Sequence, residues 1–159
     1  MSALAASTEI LQLVTFKLGG EEYATDILKV QEINRMVNIT AVPNTPGYVE
    51  GVINLRGKVI PVINLRKKFG LETKAADAQS RIMVVDVGTT VGLIVDSVSE
   101  VLRLPSDTVE PPPPMTGGDG SEFIRGVGKL EDRLLILLDI DKLLGHDGLH
   151  AVTSLSTNN

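Results

Sequence analysis

His146 and His150 are the residues whose spacing comes nearest to a metal site, because side chains four apart share one face of a helix. Asp147 lies beside them as a possible further ligand. Gly148, however, interrupts such a helix, and no third ligand type stands out nearby. We therefore interpret both histidines as tail residues and predict no metal site.

Other reactive groups are scarce. The chain has no cysteine, which excludes thiolate nucleophiles, thiolate metal sites and disulfides, and fits a reducing cytosol. It contains no phosphate-binding glycine loop, nucleophile elbow or zinc-protease motif. Asp139 and Asp141 are spaced like cation ligands, but Asp139 is better explained as a helix N-cap. We predict no catalytic residues, no cofactor and no enzymatic activity.

The composition narrows the class of protein further. Hydrophobic residues make up 43% of the 159 positions and charged residues 22%, which suits a folded core. Aromatic residues are only 3%, so this core must consist of Val, Ile and Leu. The net charge of −5 argues against a nucleic-acid partner, which would require a basic groove and stacking rings. With no run of 18 apolar residues and no basic N-terminal segment, we expect a protein that is neither membrane-spanning nor secreted.

An internal repeat is the most informative feature of the chain. Residues 48–70 recur 75 positions later as residues 123–145. Apolar and glycine positions are kept, as in Tyr48 with Phe123, Gly51 with Gly126, Val52 with Val127, Leu55 with Leu130 and Gly70 with Gly145. A unit built twice, with a constant core and a varied surface, is typical of a two-lobed docking module rather than an enzyme. The nearer repeat of VINLR at 52–56 and 62–66 is interpreted as chance.

Arg56 is the candidate binding residue because the two copies diverge there. Its counterpart is Glu131, and the neighbouring Gly57 is replaced by Asp132. One interpretation is an ordinary solvated turn arginine. The other is an interface residue paired with Glu32, whose value would lie in specificity, since exposed ion pairs stabilise a fold only slightly.

Gly51 and Gly126 occupy one equivalent position and allow two compatible interpretations. The fold itself could require glycine there, through a bulge or a positive φ. Alternatively, the backbone of a partner could approach so closely that any side chain would clash.

Short apolar runs rich in Val and Ile, separated by turn residues, predict strands. Residues 14–18 and 23–25 flank Gly19-Gly20, and residues 82–85 and 91–95 flank a turn at Gly88, so both segments predict β-hairpins. Each is followed by an apolar triplet offset by 68 positions, Ile27/Val30/Ile33 and Val95/Val98/Val101. The triplets predict a short helical element, with a bent strand as the alternative.

The long repeat predicts a further hairpin and a short helix in each copy. Gly57-Lys58 and Asp132-Arg133 are the predicted two-residue turns, and Pro61 predicts an edge strand or a bulge because it lacks an N–H. Asn64 and Asp139 are N-cap types, and Gly70 and Gly145 stand where a helix would end. We therefore predict helices over residues 65–69 and 140–144.

The domain organisation follows from these elements. The offsets of 75 and 68 differ by seven residues, which places an insertion around Pro111–Gly120 in the second copy, and residues 71–81 form the connector. We predict two small closed β-barrels packed together as one domain over residues 12–145, approximately 12–70 and 81–145, with strands possibly exchanged between them. Residues 1–11 and 146–159 are predicted tails.

Several separated segments together resemble the CheW family of chemotaxis coupling proteins. They are YATDILKVQEI at Tyr23–Ile33, Asn44-Thr45-Pro46, GVINLRG at Gly51–Gly57, Val59–Gly70 and Asp132–Leu144, so the similarity spans about residues 14–144. The resemblance implies an all-β fold of two five-stranded, SH3-like barrels with short helices. It also implies a non-catalytic adaptor that links methyl-accepting chemoreceptors to the histidine kinase CheA, whose regulatory domain shares the fold.

The resemblance assigns candidate contact residues. Receptor-facing residues would be Val30, Glu32, Gly51, Arg56, Gly92 and Gly126. The cytoplasmic tip of the receptor would lie in an apolar groove between the barrels. Kinase contacts would include Ile39, Val42, Pro43, Pro46, Met115 and Phe123.

The same resemblance predicts a cytoplasmic location at membrane-associated receptor arrays, with other copies of the chain as possible ring partners. It predicts neither nucleic-acid binding nor membrane insertion. Three alternatives remain at this point: an adaptor of a non-flagellar pathway, a small-ligand-binding barrel and a detached kinase regulatory domain.

Overall fold

Eleven strands make up most of the chain that the computed structural model describes, which is residues 9–112 and 123–144. The strands are β1 Ile10–Leu18, β2 Glu21–Asp26, β3 Val30–Arg35, β4 Val49–Leu55, β5 Lys58–Asn64, β6 Arg81–Asp86, β7 Thr90–Val95, β8 Ser97–Pro105, β9 Val109–Glu110, β10 Ile124–Lys129 and β11 Leu134–Leu138. Helix α1 spans Leu65–Lys68, residues 140–144 form α2, and single 3-10 turns span Ile27–Lys29 and Ser106–Thr108. The predicted all-β class with short helices is confirmed.

The strands form two sheets, and each sheet incorporates a hairpin from the other half of the repeat. The six-stranded sheet has the order β8-β1-β2-β11-β10-β9, and the five-stranded sheet has the order β3-β6-β7-β5-β4. The β1–β2 hairpin therefore belongs with later strands, and the β6–β7 hairpin with earlier ones. Parallel pairing of β2 with β11 and of β5 with β7 joins each incoming hairpin to its host sheet. The segments 12–70 and 81–145 are therefore the two copies of the repeat, but neither segment alone forms one of the sheets.

The main hydrophobic core lies between the two sheets. Its buried side chains come from both sheets and from the two helices, and include Val14, Phe16, Ile63, Leu65, Met83, Leu93, Leu138 and Leu143. Burying one such aliphatic side chain contributes roughly 1.5–3 kcal/mol. The shared core is what holds the sheets together, and it is almost wholly aliphatic, as the composition requires.

The sixth strand of the larger sheet is a longer version of an element found in both halves. Strand β9 pairs with β10 through Glu110 and Val127. In the five-stranded sheet, Thr40 forms a single bridge to Val52, the residue that the repeat matches with Val127. The strand counts therefore differ by the length of one edge segment, and the predicted five-strand plan is recognisable in both sheets.

The predicted hairpin turns between the repeated strands were wrong by one residue. Leu55 pairs with Lys58, so the two-residue turn is Arg56-Gly57 rather than Gly57-Lys58. In the second copy, the Leu130 N–H donates to the Arg133 carbonyl at 2.9 Å, which makes Glu131-Asp132 the turn instead of Asp132-Arg133. The divergent positions of the repeat are therefore the turn tips themselves.

The apolar triplets fold differently in the two copies. Residues Ile27–Lys29 form one 3-10 turn, capped by the Asp26 carboxylate, which accepts from the Leu28 N–H at 2.9 Å, and Val30 then opens β3. In the second copy, Val95 ends β7 and Val98 and Val101 belong to β8, so the predicted helical element is absent there and the bent strand is correct.

Pro61 lies neither on an edge strand nor at a bulge, contrary to the prediction. Strand β5 sits between β7 and β4, and the irregularity of that ladder is at Val49 and Gly51 of β4. Pro61 is tolerated because it pairs with Val52, whose N–H and C=O both bond to Thr40 and not to β5. The parallel ladder with β7 starts one residue later, at Val62.

The predicted helix ends are confirmed within the described residues. Asn64 accepts from the Lys67 N–H at 3.3 Å, and Asp139 accepts from the Lys142 N–H at 3.1 Å. Gly70, which follows the C-cap Phe69 of α1, has φ +72°, and its N–H donates to the Lys67 carbonyl at 3.1 Å. Gly145 lies outside the described residues. No helix in the described part of the chain has the length and apolar character needed to cross a membrane.

Candidate docking surfaces

Arg56 and Glu32 form a two-pronged ion pair on the five-stranded sheet. Arg56 Nη1 donates to Glu32 Oε1 at 3.0 Å, and Nη2 pairs with Oε2. Glu32 comes from β3 and Arg56 from the β4–β5 turn, so the pair links the two outer strands of this sheet. The Arg56 side chain is 71% exposed and Glu32 is 25% exposed. The pairing expected from the sequence is therefore present, on the surface.

Mutual hydrogen bonding fixes the charge state of this pair. The hydrogen bonds from Arg56 hold the pKa of Glu32 below its ordinary value, and those to Glu32 raise the pKa of Arg56. Both groups are consequently charged at neutral pH. Because solvent screens these charges, the pair adds little to the stability of the fold. The two hydrogen bonds fix the orientation of the Arg56 guanidinium, which remains exposed to solvent.

The backbone at Arg56 is unusual for a residue with a Cβ. Arg56 has φ +52° and Gly57 has φ +83°, which matches the type I′ turn that fits the twist of a tight hairpin. The Gly57 N–H donates to Asn54 Oδ1 at 2.8 Å and steadies the turn. Asn or Gly is preferred at the first position of such a turn, so an arginine there is held against its local preference.

The predicted receptor-facing glycines meet close internal contacts. A Cβ on Gly51, whose φ is +147°, would overlap the Thr40 carbonyl oxygen. A Cβ on Gly126 would lie 2.6 Å from the Glu110 carbonyl oxygen, and one on Gly92 would lie 2.9 Å from Ile82 Cγ2. The fold therefore has its own reason for each glycine, whatever a partner requires.

The six predicted receptor-facing residues are only partly brought together. Val30, Glu32, Gly51, Arg56 and Gly92 belong to the five-stranded sheet, whereas Gly126 lies in β10 of the other sheet. Val30 is half-buried against the main core. Among the six, Glu32 and Arg56 are the pair joined by side-chain hydrogen bonds.

The predicted kinase-contact residues fall in two places. Ile39, Val42, Pro43 and Pro46 lie in the loop between β3 and β4, where Pro43 is exposed and Ile39 packs partly against the core. Phe123 instead directly precedes β10 and stacks on Phe69, with ring centroids 5.3 Å apart. Met115 lies outside the described residues.

An apolar groove, which sequence reasoning did not locate, lies where α1 and the connector meet the six-stranded sheet. It encloses about 230 Å³ and is lined by Tyr23, Phe69, Leu71, Phe123, Ile124, Ile136 and Leu138. Four of the five aromatic residues of the chain form a row that starts from the buried Phe16: Phe16 stacks on Tyr23, Tyr23 is tilted against Phe69, and Phe69 stacks on Phe123. Burial raises the pKa of Tyr23, with Glu21 adding to the effect. None of the predicted receptor-facing residues lines this groove.

A second cluster that the sequence did not reveal surrounds Arg133. Its guanidinium donates to Glu22 Oε1 at 2.6 Å, to Glu100 Oε2 at 2.8 Å and to Asp132 Oδ1 at 3.3 Å. The charge of Glu22 is the main cause of the raised pKa of Arg133. Glu100 is the residue that the repeat matches with Glu32, and this match, together with an arginine in the following hairpin, was the available signal.

The acidic residues considered as cation ligands have other roles. Asp139 caps α2, and Asp141 pairs with Lys29 at 2.8 Å. Within residues 9–112 and 123–144, no three His, Asp or Glu side chains are grouped to hold a metal ion. His146 and His150 lie outside that range.

Known proteins share both this sequence and this fold. The family model of the CheW-like domain matches residues 12–148. The chemotaxis protein CheW of Klebsiella aerogenes is 40% identical over 157 residues, covering 98% of this chain and 95% of its own length. CheW of Helicobacter pylori is 39% identical over 140 residues, covering 87% and 84%. The crystal structure of the scaffolding protein TtCheW from Thermoanaerobacter tengcongensis has 41% identity and a TM-score of 0.80, with 88% of this chain and 96% of that one covered. The chain belongs to the CheW-like domain family.

Proposed function

We propose that this protein is a non-catalytic chemotaxis adaptor that couples methyl-accepting chemoreceptors to the histidine kinase CheA. It would dock the receptor tip and the regulatory domain of the kinase on separate surfaces of its two sheets, in the cytoplasm at receptor arrays. Its relatives are named as chemotaxis and scaffolding proteins, which supports a role of this kind.

The observation that carries the proposal is the exposed Arg56–Glu32 pair. It occupies a turn whose backbone disfavours arginine, and it contributes little to stability because solvent screens it. The repeat keeps the core around this turn and changes its tip to Glu131-Asp132 in the other copy. The other copy pairs Glu100 with Arg133, which follows the turn tip, so the arginine on a left-handed backbone at the tip itself is particular to Arg56 and is best explained by a partner.

Two surfaces of the protein, one polar and one apolar, are proposed to contact the receptor. The Arg56–Glu32 pair provides a directed charge, and the groove lined by Tyr23, Phe69 and Phe123 provides an apolar channel for a helical tip. The two elements share no residue, so variants can test them separately.

For the kinase, the loop around Pro43 is the leading surface. Its residues Val42, Pro43 and Pro46 lie beside the Thr40 bridge, which fixes the loop against β4. Phe123 remains a proposed contact, although its ring already packs on Phe69. Assembly with further copies in rings, and service to a flagellar or a non-flagellar pathway, belong to the same proposal.

A small-ligand-binding barrel is the weaker alternative. Pockets for such ligands typically enclose about 300–1,000 Å³ and are lined mainly by apolar side chains. The apolar groove encloses about 230 Å³, and a cavity of about 350 Å³ beside Val109 is lined also by the charged residues Glu110 and Arg125. A thermal-shift screen against metabolites would reveal a ligand through a raised melting temperature.

The direct test is co-sedimentation of the protein with CheA and a receptor-tip fragment, comparing the wild type with Arg56→Glu. We expect the substitution to place two carboxylates together and to weaken receptor binding at least tenfold. Thermal unfolding should shift by less than about 2 °C, because the pair is exposed. Lys74→Glu, in the connector, is the charge-matched control and should bind normally.

Normal binding by Arg56→Glu would remove Arg56 from the receptor surface. A wild-type protein that forms no ternary complex with the kinase and the receptor fragment would overturn the adaptor function as a whole.

A further inference from the structure

Lys68, the last residue of α1, packs against the ring of Tyr48. Its ammonium nitrogen lies 4.3 Å from the ring centroid, within the range of a cation–π contact. The Lys68 side chain is half-buried, and Tyr48 itself packs against the main core. The repeat explains this burial, because Lys68 matches Leu143, a core residue that is only 2% exposed. Lys68 therefore places an amine where the other copy buries an aliphatic side chain.

The other seven lysines of the chain have different surroundings. Four of them pair with carboxylates, namely Lys29 with Asp141, Lys67 with Glu50, Lys74 with Asp77 and Lys129 with Glu110. The remaining three are exposed, namely Lys17, Lys58 and Lys142. Among residues 9–112 and 123–144, Lys68 is thus the one lysine that is partly withdrawn from water and pairs with no carboxylate.

These surroundings favour the neutral form of the amine. Burial lowers the pKa of Lys68 from its ordinary value, because the ammonium loses hydration and no carboxylate compensates for the loss. The Tyr48 ring attracts the ammonium, but unlike a carboxylate it carries no net charge. A lysine that deprotonates more readily is a better nucleophile at neutral pH, and the contact with the ring holds its nitrogen in place.

We propose that Lys68 is a site of acylation by a small acyl phosphate. The lone pair of the neutral Nζ attacks the carbonyl carbon, the bond from that carbon to the phosphate oxygen breaks, and phosphate leaves with the bonding electrons. The nitrogen releases a proton to water, and the products are an amide and inorganic phosphate. A small donor is required because the amine is half-buried. The amide has lost the charge and the contact with the ring, at the point where the β3–β4 loop enters β4.

Peptide mass spectrometry of the chain incubated with acetyl phosphate at neutral pH tests this site. Lys68 should acetylate about threefold or more faster than the exposed Lys17, Lys58 and Lys142, because more of its amine is neutral. In denaturing urea the ring no longer covers the amine, so the difference should disappear. The N-terminal amine also reacts readily near neutral pH, and the peptide map separates it from the lysines.

Two arginine variants provide the matched controls, since arginine keeps the positive charge. Lys68→Arg should lose the fast-reacting lysine, while its other lysines acetylate at wild-type rates. Lys58→Arg, at the start of β5, should retain it.

The proposal is overturned if Lys68 acetylates no faster than the exposed lysines of the folded chain. It is also overturned if the faster reaction persists in urea, which would assign the reactivity to the local sequence rather than to the fold. Labelling of Lys68 by acetyl-coenzyme A but not by acetyl phosphate would refute the acyl phosphate as the donor.

The inference does not rest on the proposed adaptor function, because acetylation is measured on the isolated chain without kinase or receptor. A failure of co-sedimentation would leave the Lys68 site standing, and a failure of acetylation would leave the adaptor function standing.

Discussion

In each half of the molecule, the helix forms an ion pair with the segment that crosses from one sheet to the next element, and we term these two contacts the seams. The two seams have inverted charge and unequal burial. In one half, Arg66 of α1 pairs with Asp96 at the crossing from β7 to β8. In the other half, Asp141 of α2, which the repeat matches with Arg66, pairs with Lys29 at the crossing from β2 to β3. The exposed fractions are 15% and 18% for Arg66 and Asp96, but 40% and 50% for Lys29 and Asp141.

The number of hydrogen bonds separates the two seams further. Arg66 donates twice to Asp96, at 2.8 and 2.6 Å, and once to the Glu72 carbonyl, and Asp96 also accepts from the Gly19 N–H at 2.9 Å. The Lys29–Asp141 pair has a single contact at 2.8 Å. The duplicated backbone thus determines which elements are in contact, and the side chains determine the strength of each contact. The Arg66 seam, which joins the two sheets, should contribute more to the free energy of unfolding.

The largest difference between the halves is expected at the matched glycines. In Gly51→Ala the Cβ would overlap the Thr40 carbonyl on a backbone with φ +147°, so we expect a loss of roughly 3 kcal/mol or more in the free energy of unfolding. Gly126→Ala faces a milder overlap, 2.6 Å from the Glu110 carbonyl oxygen, and should lose about 1–3 kcal/mol. Urea denaturation of both variants measures the difference. Equal losses would show that strand β9 is as rigid as the Thr40 segment, and would weaken the asymmetry.

Asp96→Asn and Asp141→Asn compare the two seams directly. Removing the Asp96 charge leaves Arg66 half-paired in a largely buried position, so we expect a loss of about 1–3 kcal/mol. Asp141→Asn should cost less than about 0.5 kcal/mol, because both partners are exposed. Urea denaturation at pH 7 measures both losses. If the two variants lose equal stability, the burial difference has no energetic meaning.

Acid sharpens the same comparison. The hydrogen bonds from Arg66 hold the pKa of Asp96 below its ordinary value. A depressed carboxyl pKa contributes stability that is present above the unfolded pKa, about 3.9, and is lost as pH falls through the folded value. The stability advantage of the wild type over Asp96→Asn should therefore shrink below about pH 4. A difference that stayed constant down to pH 2 would assign the loss to packing rather than to charge.

Local features of the fold were predictable because their causes are local. The glycine turn at Gly19-Gly20 and the caps at Asn64 and Asp139 each depend on a few neighbouring residues, and the structure contains all of them. The repeat also located the strands, since alternation of apolar residues is visible in sequence. The turn at Arg56-Gly57 was misplaced by one residue because glycine alone was taken as the signal, although two left-handed residues were required.

Non-local features were not predictable from the same patterns. Alternation indicates a strand but not its neighbour, so the sequence allowed for an exchange of strands without identifying the β1–β2 and β6–β7 hairpins as the ones exchanged. Pro61 was assigned to an edge strand or a bulge because the partner of Val52 was unknown. The Arg133 cluster joins residues 111 positions apart, and the groove at Tyr23 and Phe123 draws on segments from both ends of the chain. The assignment of individual residues to receptor or kinase remains a prediction.

Arg56→Asn is expected to change stability only slightly, and in the opposite direction. Asparagine tolerates the left-handed backbone, and Asn-Gly is the preferred type I′ pair, so the melting temperature should stay level or rise by about 1–3 °C. Binding of the receptor-tip fragment should nevertheless weaken, because the guanidinium beside Glu32 is lost.

Glu131→Asn is the matched control: no left-handed φ is found at Glu131, so neither stability nor receptor binding should change. A fall of more than about 3 °C in Arg56→Asn would mean that the ion pair holds β3 to the hairpin. Arg56 would then be a structural residue, and the difference between the two turn tips would no longer indicate a partner.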